Sequence, residues 1–187
     1  RFVVLAAVLA EQVLGGPARL VEDVALRLWA GDRGQEWHVD RTPETVFFSM
    51  EAQAEGLSLW IPLHAVRAAD DGGSLYTSAA DAPACRRHLA VPAEPAAAAG
   101  CRAALDSAAE VGDFAPGDAL LLHPAVWHRT QAVRRGASRA AYLVRFVLDG
   151  ARYVTPHFDL PEGSDCGPLG ARAASPACFP LAAELID

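Results

Sequence analysis

The chain has 187 residues, 52% of them hydrophobic and 21% charged, with a formal net charge of -7 at neutral pH. That length and apolar content suit one domain with a sizeable core. The negative balance disfavours a nucleic-acid binder, whose phosphate contacts need clustered cations. All 16 basic residues are arginine, and lysine and asparagine are absent, so an arginine is not read as functional merely for being one.

Residues 2 to 14 are apolar and predict a helix, closed by Gly15-Gly16-Pro17. The run is too short to span a membrane, and it lacks the small-residue cleavage site of a signal peptide. An intracellular, cytoplasmic protein is expected. Starting on Arg1, the chain reads as a domain cut from a longer protein. From Leu20 to Trp29 polar and apolar residues alternate, with Val24, Leu26 and Leu28 on one face, which predicts a half-buried strand.

The next segment, Glu36-Trp37-His38-Val39-Asp40-Arg41, carries an imidazole and a carboxylate two positions apart. In an extended strand both project from one face, which supplies two of the three protein ligands of a metal site. Two further strands are expected at Val46 to Glu51 and Leu57 to Leu63, then a turn at Asp70-Asp71-Gly72-Gly73 and a short strand Ser74 to Thr77. From Ala79 to about Glu110 the chain is rich in alanine and proline. It reads as an inserted loop with one helix, from Pro95 to Glu110, forming a lid over the mouth of a sheet structure.

Strands resume at Ala119 to Leu122, Val126 to Gln131 and Ser138 to Leu148, the last rich in β-branched and aromatic residues. Many short strands behind one helix predict an all-β core with helical elaborations, a double-stranded β-helix or cupin-like jelly roll over residues 1–150. Residues 151–187 are expected to be an irregular extension packed on the same domain. A second HxD, His157-Phe158-Asp159, lies in that extension with no histidine after it, so it is read as surface structure. Cys85, Cys101, Cys166 and Cys178 show no CxxC or zinc spacing and are expected to be free thiols.

A third ligand has to come from downstream of His38 and Asp40, and both His123 and His128 are available. Two histidines and one carboxylate leave three octahedral positions open, the arrangement of non-haem Fe(II) oxygenases. On a strand, Thr130 shares the face of His128 and can donate a hydroxyl hydrogen bond to a carboxylate. Arg139 offers a planar fork of donors, and its charge facing a barrel interior calls for an anionic partner.

The order and spacing of these pieces resemble the phytanoyl-CoA dioxygenase family of Fe(II)/2-oxoglutarate-dependent oxygenases. The matching stretches are Trp37-His38-Val39-Asp40, Leu59-Trp60-Ile61-Pro62-Leu63, Asp71-Gly72-Gly73-Ser74-Leu75, the run from Pro116 to His123, Trp127-His128-Arg129-Thr130 and Ser138-Arg139-Ala140-Ala141-Tyr142. The resemblance covers roughly residues 5 to 148. It selects His38, Asp40 and His128 as metal ligands and Arg139, with Thr130, for the distal carboxylate of 2-oxoglutarate. His123 becomes a strand-end residue near the site. The implied reagents are Fe(II), 2-oxoglutarate and O2, acting on a small organic substrate such as an acyl compound or secondary metabolite.

Halogenating relatives replace the ligand carboxylate, so the presence of Asp40 implies hydroxylation or a related oxidation. After Leu75 the family's Pro-Gly-Ser-His type of loop is replaced by Tyr76-Thr77-Ser78-Ala79-Ala80, a departure at the substrate mouth. Trp60, Arg41, Arg134 and Arg135 are placed near that mouth, in structural or solvated roles. Two other functions fit the same fold: a cupin-type metalloenzyme that needs no 2-oxoglutarate, and a binding module without turnover.

Overall fold

The computed structural model describes residues 2–40, 55–70, 72–90 and 94–151. The expected strand at Val46 to Glu51 and the extension after residue 151 lie outside the described residues, as do Arg41, the second HxD, Cys166 and Cys178. The described elements in chain order are α1 (Phe2–Leu14), β1 (Ala18–Leu28), β2 (Gly56–Pro62), a 3-10 turn (Ala68–Asp70), β3 (Leu75–Ser78), α2 (Pro83–Ala90), α3 (Pro95–Ser107), β4 (Ala109–Val111), β5 (Leu120–Leu122), β6 (Trp127–Thr130) and β7 (Arg139–Leu148). Helix α2 and strand β4 were not expected from the sequence. Pro83 opens α2, and proline at a first helical position adds no lost hydrogen bond.

Two antiparallel sheets form the jelly roll. One has the order β1-β7-β2-β5 and the other β4-β3-β6. Parity along the strands separates the two faces of the larger sheet. Leu57, Leu59 and Ile61 of β2, with Val144 and Phe146 of β7, pack under α1, whose buried Ala6, Ala7 and Ala10 bring the helix close to the sheet. Full burial of a side chain such as Leu59 or Phe146 stabilises by about 1.5–3 kcal/mol. On the opposite face Trp60, Ala141 and Leu143 join Leu75 of the smaller sheet and Leu122 in a cluster between the sheets. Among the described residues no helix is long and apolar enough to cross a membrane.

Strands β1 and β7 pair along most of their length, but the register shifts between Leu20 and Glu22. Val21 is the extra residue of a β-bulge. Leu20 opposes Phe146, which faces α1, whereas Glu22 opposes Arg145. Without the bulge Glu22 would oppose Val144 and point into the apolar layer. Bulges re-aim side chains in this way beside functional sites.

The insertion, expected as a loop with one helix, carries two. Helices α2 and α3 pack together, with Gly100 letting α3 approach Ala84; a Cβ there would lie 3.1 Å from the Ala84 Cβ. That approach brings the Cα atoms of Cys85 and Cys101 to 4.4 Å, and the two are joined in a disulfide. The expectation of free thiols is corrected for this pair. The joined helices bury Cys85, Cys101 and Leu105 against Val39 and Trp127.

Candidate metal centre and its cavity

His38 and His128 are brought together by backbone pairing. Each donates its N–H to the other's carbonyl, at 3.0 and 2.9 Å, as an isolated antiparallel bridge. Residues opposed in this way project from the same face. The rings lie side by side, 4.2 Å between centroids. Asp40, two residues on, follows the same parity. The incoming segment is held tightly against β6: a Cβ at Gly34 would lie 2.3 Å from the Thr130 carbonyl oxygen, so only glycine allows the approach.

Potential ligand atoms of His38, Asp40 and His128 all lie within 4.8 Å of one another. Nδ1 of His38 donates to the Glu36 carbonyl at 2.8 Å, and Nδ1 of His128 donates to that of Val126 at 2.9 Å. A carbonyl can only accept, so both Nδ1 atoms carry a proton, and in the neutral form of each ring Nε2 keeps the lone pair. This is how a protein sets the tautomer of a metal-binding histidine. Nε2 of His128 lies 3.6 Å from Asp40 Oδ1.

Burial, and then the neighbouring His38, hold His128 below the ordinary imidazole value, so it is neutral at pH 7. Burial opposes ionisation of Asp40, but Arg145, His128 and the Ser58 hydroxyl outweigh it and keep the carboxyl below its usual range. Neutral imidazoles and an ionised carboxylate are the forms that bind a divalent cation. Nitrogen and oxygen donors in this set suit a first-row metal.

The triad opens on a cavity of about 460 Å³ between the sheets. Val24, Leu26, Leu75, Leu122 and Leu143 make much of its wall apolar. Three buried polar groups interrupt that wall. Arg139 is 2% exposed; its Nη1 donates to the Gly73 carbonyl at 2.8 Å, and its Nε has no partner among the described residues. Burial brings its pKa down to about 10, which leaves it charged at neutral pH. Trp60 Nε1 is likewise buried without a partner among the described residues, and its ring lies 5.4 Å from the guanidinium carbon. The Thr130 hydroxyl oxygen accepts from the Gln35 N–H at 2.7 Å, so its own proton is free to be donated.

The residues singled out from the sequence fall in different places. His38, Asp40, His128, Thr130, Arg139 and Trp60 all line the cavity. His123 does not: its side chain is half exposed, its Nδ1 accepts from the Ala125 N–H, and its Nε2 lies 3.5 Å from Glu55. Arg134 and Arg135 are exposed, and Arg134 lines a separate surface cleft with His64 and Arg67. Among the described residues, none of α2 or α3 lines the cavity. By parity Trp37, Val39, Trp127 and Arg129 point away from the ligands, and the helices cover that outer face. Trp37 Nε1 donates to Asp106 of α3 at 2.8 Å, and the Arg129 guanidinium lies over the rings of Trp37 and Tyr76.

Sequence reasoning missed Ser58, Glu22 and Arg145. Ser58 Oγ donates to Asp40 Oδ2 at 2.6 Å. Arg145 donates through Nη2 to Asp40 Oδ1 at 3.0 Å and through Nη1 to Glu22. Parity along β7 was a usable signal for Arg145, because positions 139, 141, 143 and 145 share a face.

No family model matches the chain, and no curated protein matches it. Solved structures do. The non-heme alpha-ketoglutarate-dependent epimerase SnoN from nogalamycin biosynthesis superposes with a TM-score of 0.71 at 19% identity, over 97% of this chain and 71% of that one. The carbocyclase SnoK from the same biosynthesis gives 0.65 at 17% identity, over 96% and 69%. EvdO2 from Micromonospora carbonacea var. aurantiaca, complexed with 2-oxoglutarate, gives 0.55 at 16% identity, over 82% and 62%. The fold is the cupin-like jelly roll shared with these structures. At these identities the likeness establishes architecture, and the chemistry is argued from the residues.

Proposed function

We propose that the chain is an Fe(II)- and 2-oxoglutarate-dependent oxygenase acting on a small organic substrate. The observation that carries this reading is one cavity holding two features: a His–Asp–His cluster with both Nε2 atoms free, and a buried arginine with no carboxylate partner among the described residues. A keto acid with a second carboxylate is complementary to both. Thr130 lies two residues from His128 on one strand, about 6–7 Å along it, a separation a five-carbon diacid can bridge.

When bound, iron with 2-oxoglutarate and O2 would supply oxidation of a substrate C–H bond, one oxygen atom of O2 going to the succinate formed with CO2 from 2-oxoglutarate and the other to the substrate. The chain's own residues have simpler tasks. His38, Asp40 and His128 would hold the metal. Arg139, Thr130 and Trp60 hold the distal carboxylate. The leucine and valine wall excludes water from the space between. SnoN and SnoK are named as an epimerase and a carbocyclase, so the fold carries several outcomes. Hydroxylation is our reading here, because a carboxylate at position 40 leaves no ligand position for halide.

Anaerobic addition of Fe(II) and 2-oxoglutarate to the purified protein tests this reading. The expected result is a metal-to-ligand charge-transfer band that needs both reagents and is lost in His128→Ala. Metal binding without the band would favour a cupin-type metalloenzyme that does not use 2-oxoglutarate. Binding of both reagents without consumption of 2-oxoglutarate in air would favour a module that has lost turnover.

A further inference from the structure

Asp40 is held at both oxygens. Ser58, fully buried on β2, donates to Oδ2, and Arg145 on β7 donates to Oδ1. Oδ1 is also the oxygen at 3.6 Å from His128 Nε2, hence the one turned toward the point where the histidines converge. Arg145 is held in turn by Glu22, which reaches it only because the Val21 bulge places Glu22 opposite. Three side chains from three strands, Glu22 by way of Arg145 and Ser58 directly, thus converge on one carboxylate.

Such an arrangement has a chemical consequence. A carboxylate free to rotate can offer a metal both oxygens, and the second oxygen would take a coordination position that the keto acid and O2 require. A hydrogen bond on Oδ2 engages that oxygen. A guanidinium on one lone pair of Oδ1 leaves the other lone pair for the cation. We propose that Arg145, anchored by Glu22 across the β1 bulge, is a positioning residue that together with Ser58 holds Asp40 as a one-oxygen ligand, with Oδ1 turned to the metal. The inference rests on the reading of His38, Asp40 and His128 as the metal ligands.

Titration of the purified protein with Co(II), followed by calorimetry and by d–d absorption, tests the proposal without turnover. Groups that orient a metal ligand alter affinity by about 10–100-fold when removed, so Arg145→Gln should bind Co(II) more weakly by that factor and show a changed d–d spectrum. Arg145→Lys, which keeps a cation but not the fork, should recover part of the affinity. Glu22→Gln, which leaves the guanidinium but loosens its anchor, should give a smaller loss in the same direction. If Arg145→Gln does not fold, the latter two variants carry the test. Wild-type affinity and an unchanged spectrum in the folded variants would overturn the proposal, and so would tighter binding, since the guanidinium would then oppose the cation. A wild-type protein that does not bind Co(II) would remove the metal reading itself, a distinct result.

Discussion

Strand β7 carries two inward-facing arginines six residues apart, and their surroundings are opposite. Arg145 is paired through its two Nη atoms with one carboxylate from β1 and another from the HxD segment, although its Nε, like that of Arg139, has no partner among the described residues. Arg139 is more deeply buried, yet among the described residues its partners are a backbone carbonyl and the ring of Trp60. The same residue type on the same strand face thus serves two purposes. One cation completes an internal network, and the other, in the function proposed above, is presented to an anion from outside. A buried guanidinium without a counter-charge is costly, so its retention beside a cavity points to a ligand that offsets the cost.

If that contrast is correct, removing the two cations should have different consequences. Arg145→Gln leaves Glu22 and Asp40 without their cation, and should lower the unfolding free energy of the metal-free protein by about 3–5 kcal/mol. Arg139→Ala leaves no such group behind, and should cost a small fraction of that. Chemical denaturation of both variants gives the comparison, and equal losses would break it. Ligand binding should reverse the order. Arg139→Ala should weaken 2-oxoglutarate binding to the metal-loaded protein by about 2–5 kcal/mol while leaving metal affinity largely intact.

The outer face offers a control. The disulfide between Cys85 and Cys101 closes a loop with a sequence separation of 16. Replacing both cysteines by alanine should lower stability by about 3 kcal/mol, as for a loop of that size. It should leave 2-oxoglutarate affinity unchanged, because no described residue of either helix lines the cavity. A loss of co-substrate affinity would mean that the helices shape the site as well as support it. The smallest expected change is Thr130→Val, which removes one hydroxyl donor and should weaken 2-oxoglutarate binding by about 1.5–3 kcal/mol, the range for a hydrogen bond to a charged group.

Much of this was legible in the sequence. Alternation marked β1, the apolar and aromatic run marked β7, and observed strand boundaries fall within about two residues of those expected, the usual uncertainty for a strand end. His38 and Asp40 followed from a spacing of two. The choice of His128 over His123 came from the family resemblance, since spacing alone left both open, and His128 is the one that lines the cavity.

What was not legible depends on long-range registration. Glu22 and Arg145 are 123 residues apart and meet only because one residue bulges out of β1. No local pattern announces an extra residue in a strand. Pairing of Cys85 with Cys101 required knowing that α2 and α3 pack together, and the alanine-rich composition hid α2 within an apparent loop. The parity of Trp37, Val39 and Trp127, apolar residues on the face away from His38, Asp40 and His128, was an unused signal that something covers that side.

Complementarity of Arg139 to an external carboxylate is the central claim, and a pair of keto acids tests it directly. Fe(II)-loaded protein should be titrated anaerobically with 2-oxoglutarate and with 2-oxobutyrate, which keeps the keto-acid end but lacks the distal carboxylate. The account predicts the charge-transfer band with both compounds at sufficient concentration, with 2-oxoglutarate binding tighter by roughly the 2–5 kcal/mol expected for pairing a buried charge, and that preference abolished in Arg139→Ala. Equal affinity for the two compounds in the wild-type protein would contradict it.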